Sequence, residues 1–416
     1  METALADFIR DTPEGREADA ILRSCVHCGF CTATCPTYQL LGDDLDSPRG
    51  RIYLIKQALE GRDVTAKTRL HLDRCLTCRS CETTCPSGVQ YGRLLDIGRH
   101  VVDERAPRPL TAKVGRWVLR ESLLARPLFG GALALGRALK PVLPAALRAK
   151  IPDAEPAGAW PSARHHRKML VLNGCVQSAI APSIDAAMAR VLDRIGVSLL
   201  RVAGAACCGA LPYHLGGTAR GLALARRNID AWWPHVDRDV EAIVVTASGC
   251  GVMVKDYGHL LRHDRDYANK AQWVSRIARD PVEVVGAEWA RIAPKVRMDV
   301  GPQRVAFHSP CSLQHGMQLN GRVEEILLAL GLELTPVADP HLCCGSSGTY
   351  SLLQPKLAGE LKANKLAALE AGRPDLIATA NIGCLTHLAS GTTWPVQHWV
   401  ELLDARMKDV EPAPAQ

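Results

Sequence analysis

The stretch CVHCGFCTATCP, residues 25–36, returns fifty residues later as CLTCRSCETTCP, residues 75–86. Each copy steps Cys-x2-Cys-x2-Cys-x3-Cys-Pro. Three thiolates at that spacing wrap one tight turn around a cluster face, while the fourth, after a longer step and fixed by proline, points to a second cluster. The spacing therefore predicts two [4Fe–4S] cubanes, one held by Cys25, Cys28, Cys31 and Cys85, the other by Cys75, Cys78, Cys81 and Cys35. Zinc is the competing occupant. It is normally served by well-separated cysteine pairs, not by three cysteines at steps of three followed by a step of four and a proline. Gly29, Thr32, Ala33, Ser80 and Thr83 are small enough to let backbone N–H groups approach the sulfurs, the usual way a protein tunes cluster potential. His27, inside the first motif, reads as a solvated or supporting residue rather than a ligand. Between the motifs, RGRIYLIKQALEG spaces Ile52, Leu54, Ile55, Ala58 and Leu59 helically and stops at Gly61, so its apolar face reads as plain core.

The wider chain agrees with a redox reading. Its 416 residues are enough for two to four domains, and sixteen cysteines in a reducing compartment argue for metal ligation or redox chemistry over disulfides. The start, METALADFIRDTPEGREADA, carries acids and no apolar core, so it reads as neither secretory signal nor transit peptide, and a cytoplasmic protein is expected. The longest charge-free apolar stretch, PLFGGALALG at 127–136, is half of what a bilayer-spanning helix needs.

After residue 165 strand-like runs alternate with amphipathic helices, as in KMLVLNGCV followed by PSIDAAMARVLDRIGV, which predicts parallel-sheet α/β units. Within this half lies a repeat. Cys175 precedes the doublet Cys207-Cys208-Gly209, and Cys250 follows it; Cys311 precedes Cys343-Cys344-Gly345 at the same spacing, and Cys384 follows. One constant offset carries Cys175 onto Cys311, Cys207 onto Cys343 and Cys208 onto Cys344. In each copy, the first and last cysteines follow likely strands, and open α/β sheets place their sites at the carboxyl ends of strands. Three short loops per repeat should therefore converge one, two and one thiolates at a sheet edge, with glycine letting the backbone turn close beneath the doublet.

These repeats resemble the CCG (cysteine-rich) domain of heterodisulfide reductase subunits and of iron–sulfur subunits of several flavin dehydrogenases. The fullest form of that motif ends in CxxC and holds a non-cubane double cluster. Here the ends read CGVM at 250–253 and CLTH at 384–387, so each repeat offers four thiolates, and His387 stands where a last cysteine would be. The resemblance implies further iron–sulfur centres on Cys175, Cys207, Cys208 and Cys250, and on Cys311, Cys343, Cys344 and Cys384. The expected fold is thus α/β and α multi-domain. A mainly helical two-[4Fe–4S] ferredoxin-like domain (1–105) leads through a basic helical linker (106–165) to two CCG domains with parallel sheets (166–298 and 299–416).

The runs ADAILRSCVHCGFCTATCPTYQLLGDDLDSPRGRIYLIKQALEG, HLDRCLTCRSCETTCPSGV, NIDAWWP, TASGCG, HLCCGSSGTY and TANIGCLTHLAS together resemble the iron–sulfur subunits of bacterial glycolate oxidase (glycolate dehydrogenase). That resemblance implies a complex with two FAD-linked oxidase subunits, one of which oxidises glycolate to glyoxylate, this chain being the electron-transfer partner with no catalytic residue of its own. Consistent with flavin arriving on another chain, no G-x-G-x-x-G or G-x-x-x-x-G-K-[ST] is present. The equivalent subunit of a lactate or glycerol-3-phosphate dehydrogenase shares the same plan. A different class of reading makes the repeats zinc-bound and the chain an assembly scaffold, which moves no electrons.

Residues 106–168 carry twelve Lys or Arg against three acids, a charge of +9 where the whole chain has +7. Trp117, Leu119, Leu123, Leu124, Leu128 and Phe129 lie among Arg116, Arg120, Arg126 and Arg137. Two readings stand: a helix peripheral on the inner face of the cytoplasmic membrane, where anionic lipid attracts the basic face, or a linker packed on the first domain. The first makes a membrane quinone the acceptor, with His308, His315 and His387 as candidates to hand it protons; structural roles are the alternative for each. No recognised nucleic-acid module accompanies the charge.

Overall fold

The computed structural model describes residues 1–144, 148, 151–153, 156–236, 240–297, 301 and 303–408. Its first 105 residues are helical, and the helices start where local chemistry dictates. Pro13–Ser24 and Pro48–Leu59 open on proline, whose missing N–H costs nothing at that position, and are capped by Thr12 and Ser47 accepting from Gly15 and Gly50 N–H. Their apolar stripes meet Tyr91–Arg105 in a core containing Leu22, Ile55, Leu59, Leu94 and Leu95. Two further helices follow, Leu110–Leu124 and Arg126–Leu139, neither of which buries a single residue.

The rest of the described chain forms two all-parallel four-stranded sheets. Strands β1 (Arg167–Val171), β2 (Val197–Arg201), β3 (Val240–Val244) and β4 (Ala278–Arg279) take the order β2-β1-β3-β4. Strands β5 (Arg304–His308), β6 (Glu333–Leu334), β7 (Leu376–Thr379) and β8 (Val396–His398) repeat it as β6-β5-β7-β8. In the equivalent central pairs Leu170 lies opposite Ile243 and Ala306 opposite Ile377, with a register shift in the first between Lys168 and Leu170. Because helices cover both faces, the middles of the central strands are apolar at successive residues rather than alternating, which is why MLV and VAF read as continuous runs.

The repeats are not separate bodies. One core takes Met169 and Val171 from β1, Val305 and Phe307 from β5, and the buried faces of Ser183–Asp193, Arg322–Ala329 and Trp399–Arg406. Arg190 and Arg194 of the first repeat both pair with Asp404 of the second. The boundary expected between 298 and 299 lies outside the described residues. No helix among the described residues is long and apolar enough to cross a membrane.

Candidate metal centres

Each ferredoxin-like motif begins where a helix stops. Cys25 follows Pro13–Ser24, and Cys75 lies just past Ala66–Asp73. The loops then alternate in hand: His27 and Gly29 in the first, Thr77 and Arg79 in the second, all have φ between 56° and 88°. Left-handed residues at every second position coil the chain and turn its N–H groups inward, a geometry that suits an anionic core. The non-glycine members cost roughly 1–2 kcal/mol each, strain typical of a functional loop.

The coil brings the cysteines together across the two motifs. One cavity is lined by Cys25, Cys28 and Cys31 with Cys85, the fourth cysteine of the other motif; the neighbouring cavity is lined by Cys75, Cys78 and Cys81 with Cys35. Cys81, Tyr91 and Pro48 line both and form the wall between them. No carboxylate lines either cavity, Thr77 N–H points at Cys75 Sγ (3.4 Å) and all sixteen cysteines are free. A donor set of soft thiols fits iron–sulfur clusters and disfavours hard cations. Burial pushes the Cys31 thiol up to about 11, so holding it as a thiolate needs cationic compensation.

Ile52, Ile55, Ala58 and Leu59 of Pro48–Leu59 are core, as their spacing predicts, and the same helix also sets a buried cation beside the second cavity. Arg51, on the apolar stripe of Pro48–Leu59, is 1% exposed. It donates to the His71 carbonyl (2.7 Å), Thr37 Oγ1 (3.1 Å) and Asp46 Oδ1 (3.2 Å), and its Nη1 lies 4.0 Å from Cys35 Sγ. Asp46 also accepts from Arg74 (2.8 Å). Burial alone would weaken the guanidinium's hold on its proton, but Cys75, Tyr91, Cys35 and Asp46 outweigh it and keep the group firmly cationic. The cue in the sequence was an arginine in phase with Ile55 and Ala58 on a buried helix face.

In the repeats the thiols do converge at the carboxyl ends of the strands. Cys175 follows β1, the doublet follows β2, and Cys250 sits in the helix Ser248–Lys255 after β3. Cys175 and Cys207 sulfurs are 3.4 Å apart, and those of Cys311 and Cys343 are 3.9 Å apart, far beyond a disulfide bond. The doublet's glycine is required twice over. Gly209 and Gly345 have φ of 92° and 87°, and a Cβ on either would stand 2.6–2.7 Å from a helix carbonyl oxygen, that of Gly221 or Ala358. Their N–H groups in turn point at the first sulfur of the doublet, 3.4 Å away in both repeats.

The two repeats meet the rest of the molecule differently. Cys78 and Cys311 pack together on a cluster that contains Leu76, Cys343, Tyr350 and Leu357, and Tyr350 Oη donates to the Arg74 carbonyl (3.0 Å). The second cavity therefore abuts the second repeat's thiols. Cys175 and Cys207 instead pack against Leu124 of the linker helices, whose Arg126 donates to the Asn173 and Gly174 carbonyls.

Residues 21–89 match the 4Fe-4S dicluster domain, and residues 169–255 and 305–389 each match the cysteine-rich domain CCG. Over 410 residues the chain is 53% identical to the glycolate oxidase iron-sulfur subunit of Escherichia coli (strain K12), covering 98% of this chain and all of that one. The chain belongs to the family of glycolate oxidase iron–sulfur subunits. A Bacillus subtilis (strain 168) protein named a probable glycolate oxidase iron-sulfur subunit is 28% identical over 89% of both chains. Lactate utilization protein A of Bacillus licheniformis is 26% identical over 56% of this chain.

As a member of this iron–sulfur family the chain shows where its histidines stand. His27 is exposed and lines the first cavity between Val26 and Cys28. His315 ties Thr83 Oγ1 (2.9 Å) to the His341 carbonyl (3.1 Å), a structural bridge between the ferredoxin-like region and the second repeat. His387, in the place of a last cysteine, reaches the Ala358 carbonyl (3.3 Å). Lys365 and Asn381, which the sequence reading passed over, lie at the second repeat's thiols: Asn381 Nδ2 is 3.5 Å from Cys384 Sγ, and Lys365 is a buried cation beside Cys343 and Cys344.

Proposed function

We propose that the chain is the electron-transfer subunit of a glycolate-oxidising complex, taking electrons from FAD-bearing oxidase subunits and delivering them toward a membrane quinone. The observation that carries this reading is the unbroken contact from one thiol-lined cavity, through the wall of Cys81 and Tyr91, to the second cavity and on through Cys78 to Cys311 and Cys343. In this reading Cys25, Cys28, Cys31 and Cys85 hold one [4Fe–4S] cluster, and Cys75, Cys78, Cys81 and Cys35 hold the other. Cys311, Cys343, Cys344 and Cys384 hold a further centre, with Cys175, Cys207, Cys208 and Cys250 its counterpart. When bound, these groups carry single electrons away from a two-electron donor.

The chain's own residues supply the ends of the route. Leu76, buried against the second repeat, has Val26 as its counterpart in the first motif, and Val26 is 69% exposed beside Phe30 at 63% and the exposed Cys28. That bare apolar face is where we place the flavin subunit. The membrane end lies on the linker helices. Leu110, Val114, Trp117 and Val118 share one exposed face of the first, and Leu128, Leu135 and Leu139 are exposed on the second. The arginines there face inward, Arg116 to Asp73 and Arg126 to the first repeat, so apolar insertion rather than attraction of anionic lipid is the main force.

The test is to purify the complex anaerobically, add glycolate and follow the reduced-cluster signals by EPR. Reduction that requires both glycolate and the flavin subunits supports the reading. Reduction by lactate or glycerol 3-phosphate alone overturns the substrate, and zinc in place of iron in both repeats reduces them to a structural role.

A further inference from the structure

The two repeats have the same backbone but not the same chemistry at their thiols. His308 ends β5 fully buried, and neither ring nitrogen has a hydrogen-bond partner. One of those nitrogens, Cys344 Sγ and Cys384 Sγ all lie within 4.8 Å of one another. An unsatisfied buried polar atom is destabilising, and native structures rarely tolerate one without a use for it. The position does not demand a histidine for folding. The offset that carries Cys175 onto Cys311 pairs His308 with Leu172 of the first repeat, equally buried at 3% exposure and part of an ordinary apolar core.

A second difference points the same way. Lys365 is buried beside Cys343, Cys344 and Cys384, with its ammonium on the Asp339 carbonyl (2.8 Å), whereas the first repeat, aligned through the carbonyls of Gly221 and Ala358, has the neutral Asn228 there, donating to the Cys207 carbonyl. A buried ammonium is costly unless negative charge lies beside it, and thiolates bound to a metal are such a charge. Asn381 adds an amide N–H toward Cys384 Sγ, a bond of the kind that orients and tunes a metal-bound sulfur.

We propose that His308 is a metal ligand and that, with Cys344 and Cys384, it gives the second repeat an imidazole–thiolate iron site that the first repeat cannot form. Imidazole is a natural ligand for iron, and replacing thiolate by imidazole at an iron–sulfur centre raises its potential. The second repeat, already in contact with Cys78, becomes the more oxidising of the two and the better electron sink. The proposal rests on reading the second repeat's thiols as a metal centre, and metal analysis tests it without reference to turnover.

The experiment is pulsed EPR of the anaerobically purified complex, reduced in steps, with natural and 15N-labelled histidine, alongside iron and zinc per chain. A nitrogen hyperfine coupling that changes with the label, and is lost in His308→Leu together with that centre's iron, is the expected result. His308→Leu copies the first repeat's own residue, so the fold should accept it; His308→Cys should restore iron without the nitrogen coupling. The proposal is overturned by iron-based signals that never couple to histidine nitrogen, by unchanged iron in His308→Leu, or by stoichiometric zinc at the second repeat. Failure of glycolate to reduce a protein that still shows the coupling would count against the proposed function, not against this ligand.

Discussion

Replacing Arg51 by methionine should lower the potential of the cluster proposed at Cys35, Cys75, Cys78 and Cys81, and leave the other cluster nearly unchanged. Arg51 Nη1 is 4.0 Å from Cys35 Sγ, and a unit charge at about 4 Å with an effective dielectric near 20 is worth about 4 kcal/mol. Asp46, bonded to the same guanidinium, cancels part of that field; taking half leaves about 2 kcal/mol. At ~59 mV for each ~1.4 kcal/mol of a one-electron couple, the fall is about 85 mV. The sign follows from charge: the reduced cluster is the more negative state, so losing a nearby cation favours the oxidised one. Removing one partner of a buried pair also costs about 3–5 kcal/mol of stability, so iron content must be measured and Arg51→Lys, which keeps the charge, compared in parallel. The assay is an EPR-monitored redox titration. A shift below about 20 mV in iron-replete Arg51→Met, or a rise, would refute the argument that this cation sets the potential.

Gly345→Ala forces a Cβ to 2.7 Å from the Ala358 oxygen at φ 87°, so a loss of at least ~2 kcal/mol is expected, seen as a Tm lower by roughly 5 °C; a Tm within about 1 °C of the parent would contradict the close approach. Phe30→Asp changes an exposed residue and should leave stability within about 0.5 kcal/mol while abolishing co-purification with the flavin subunits, and an intact complex would move the docking face elsewhere. His398 caps the helix Trp399–Arg406 through Nδ1, which accepts from Val400 N–H, and its Nε2 donates to the Thr246 carbonyl of the first repeat. Burial pushes its imidazole down to about 4 from the ordinary 6.5, so the unfolded chain binds the extra proton between those values. Its contribution is complete above about pH 6.5 and is lost as pH falls toward 4, about 2 kcal/mol between pH 7 and 5. Urea melts at the two pH values should show a loss larger by that increment in the parent than in His398→Gln, because the other buried histidine, His308, titrates low in both.

Both metal-binding regions were legible because their chemistry is local. A step of three, three and four with proline coils a chain in one way, and a cysteine doublet against glycine asks for one left-handed residue beneath two sulfurs. What the sequence hid depends on distant packing. Nothing in the two cysteine motifs distinguishes Val26 from Leu76, yet one is bare and the other lies under Tyr350 and Leu357. His308 ends a strand whose residues are all buried or half-buried, so no alternation marked it as facing sulfur rather than core. The linker's cations looked free for lipid because Asp73, which takes Arg108 and Arg116, lies more than thirty residues upstream of them.

Duplication explains why the same cradle can carry unequal centres. The backbone supplies what both repeats share: a left-handed glycine, an N–H aimed at the doublet and a switch point where the strand order reverses. Charge compensation comes from side chains, which diverge freely once the cradle exists. In the second repeat the cation is Lys365, buried within the repeat itself. In the first it is Arg126, whose guanidinium feels Cys175 and Cys207 but belongs to a helix with no buried residue. A centre compensated from within keeps its charge balance whatever the linker does. One compensated by the linker depends on where those helices lie, so any membrane or partner that draws them away from Asn173 and Gly174 also strips the first repeat of its cation.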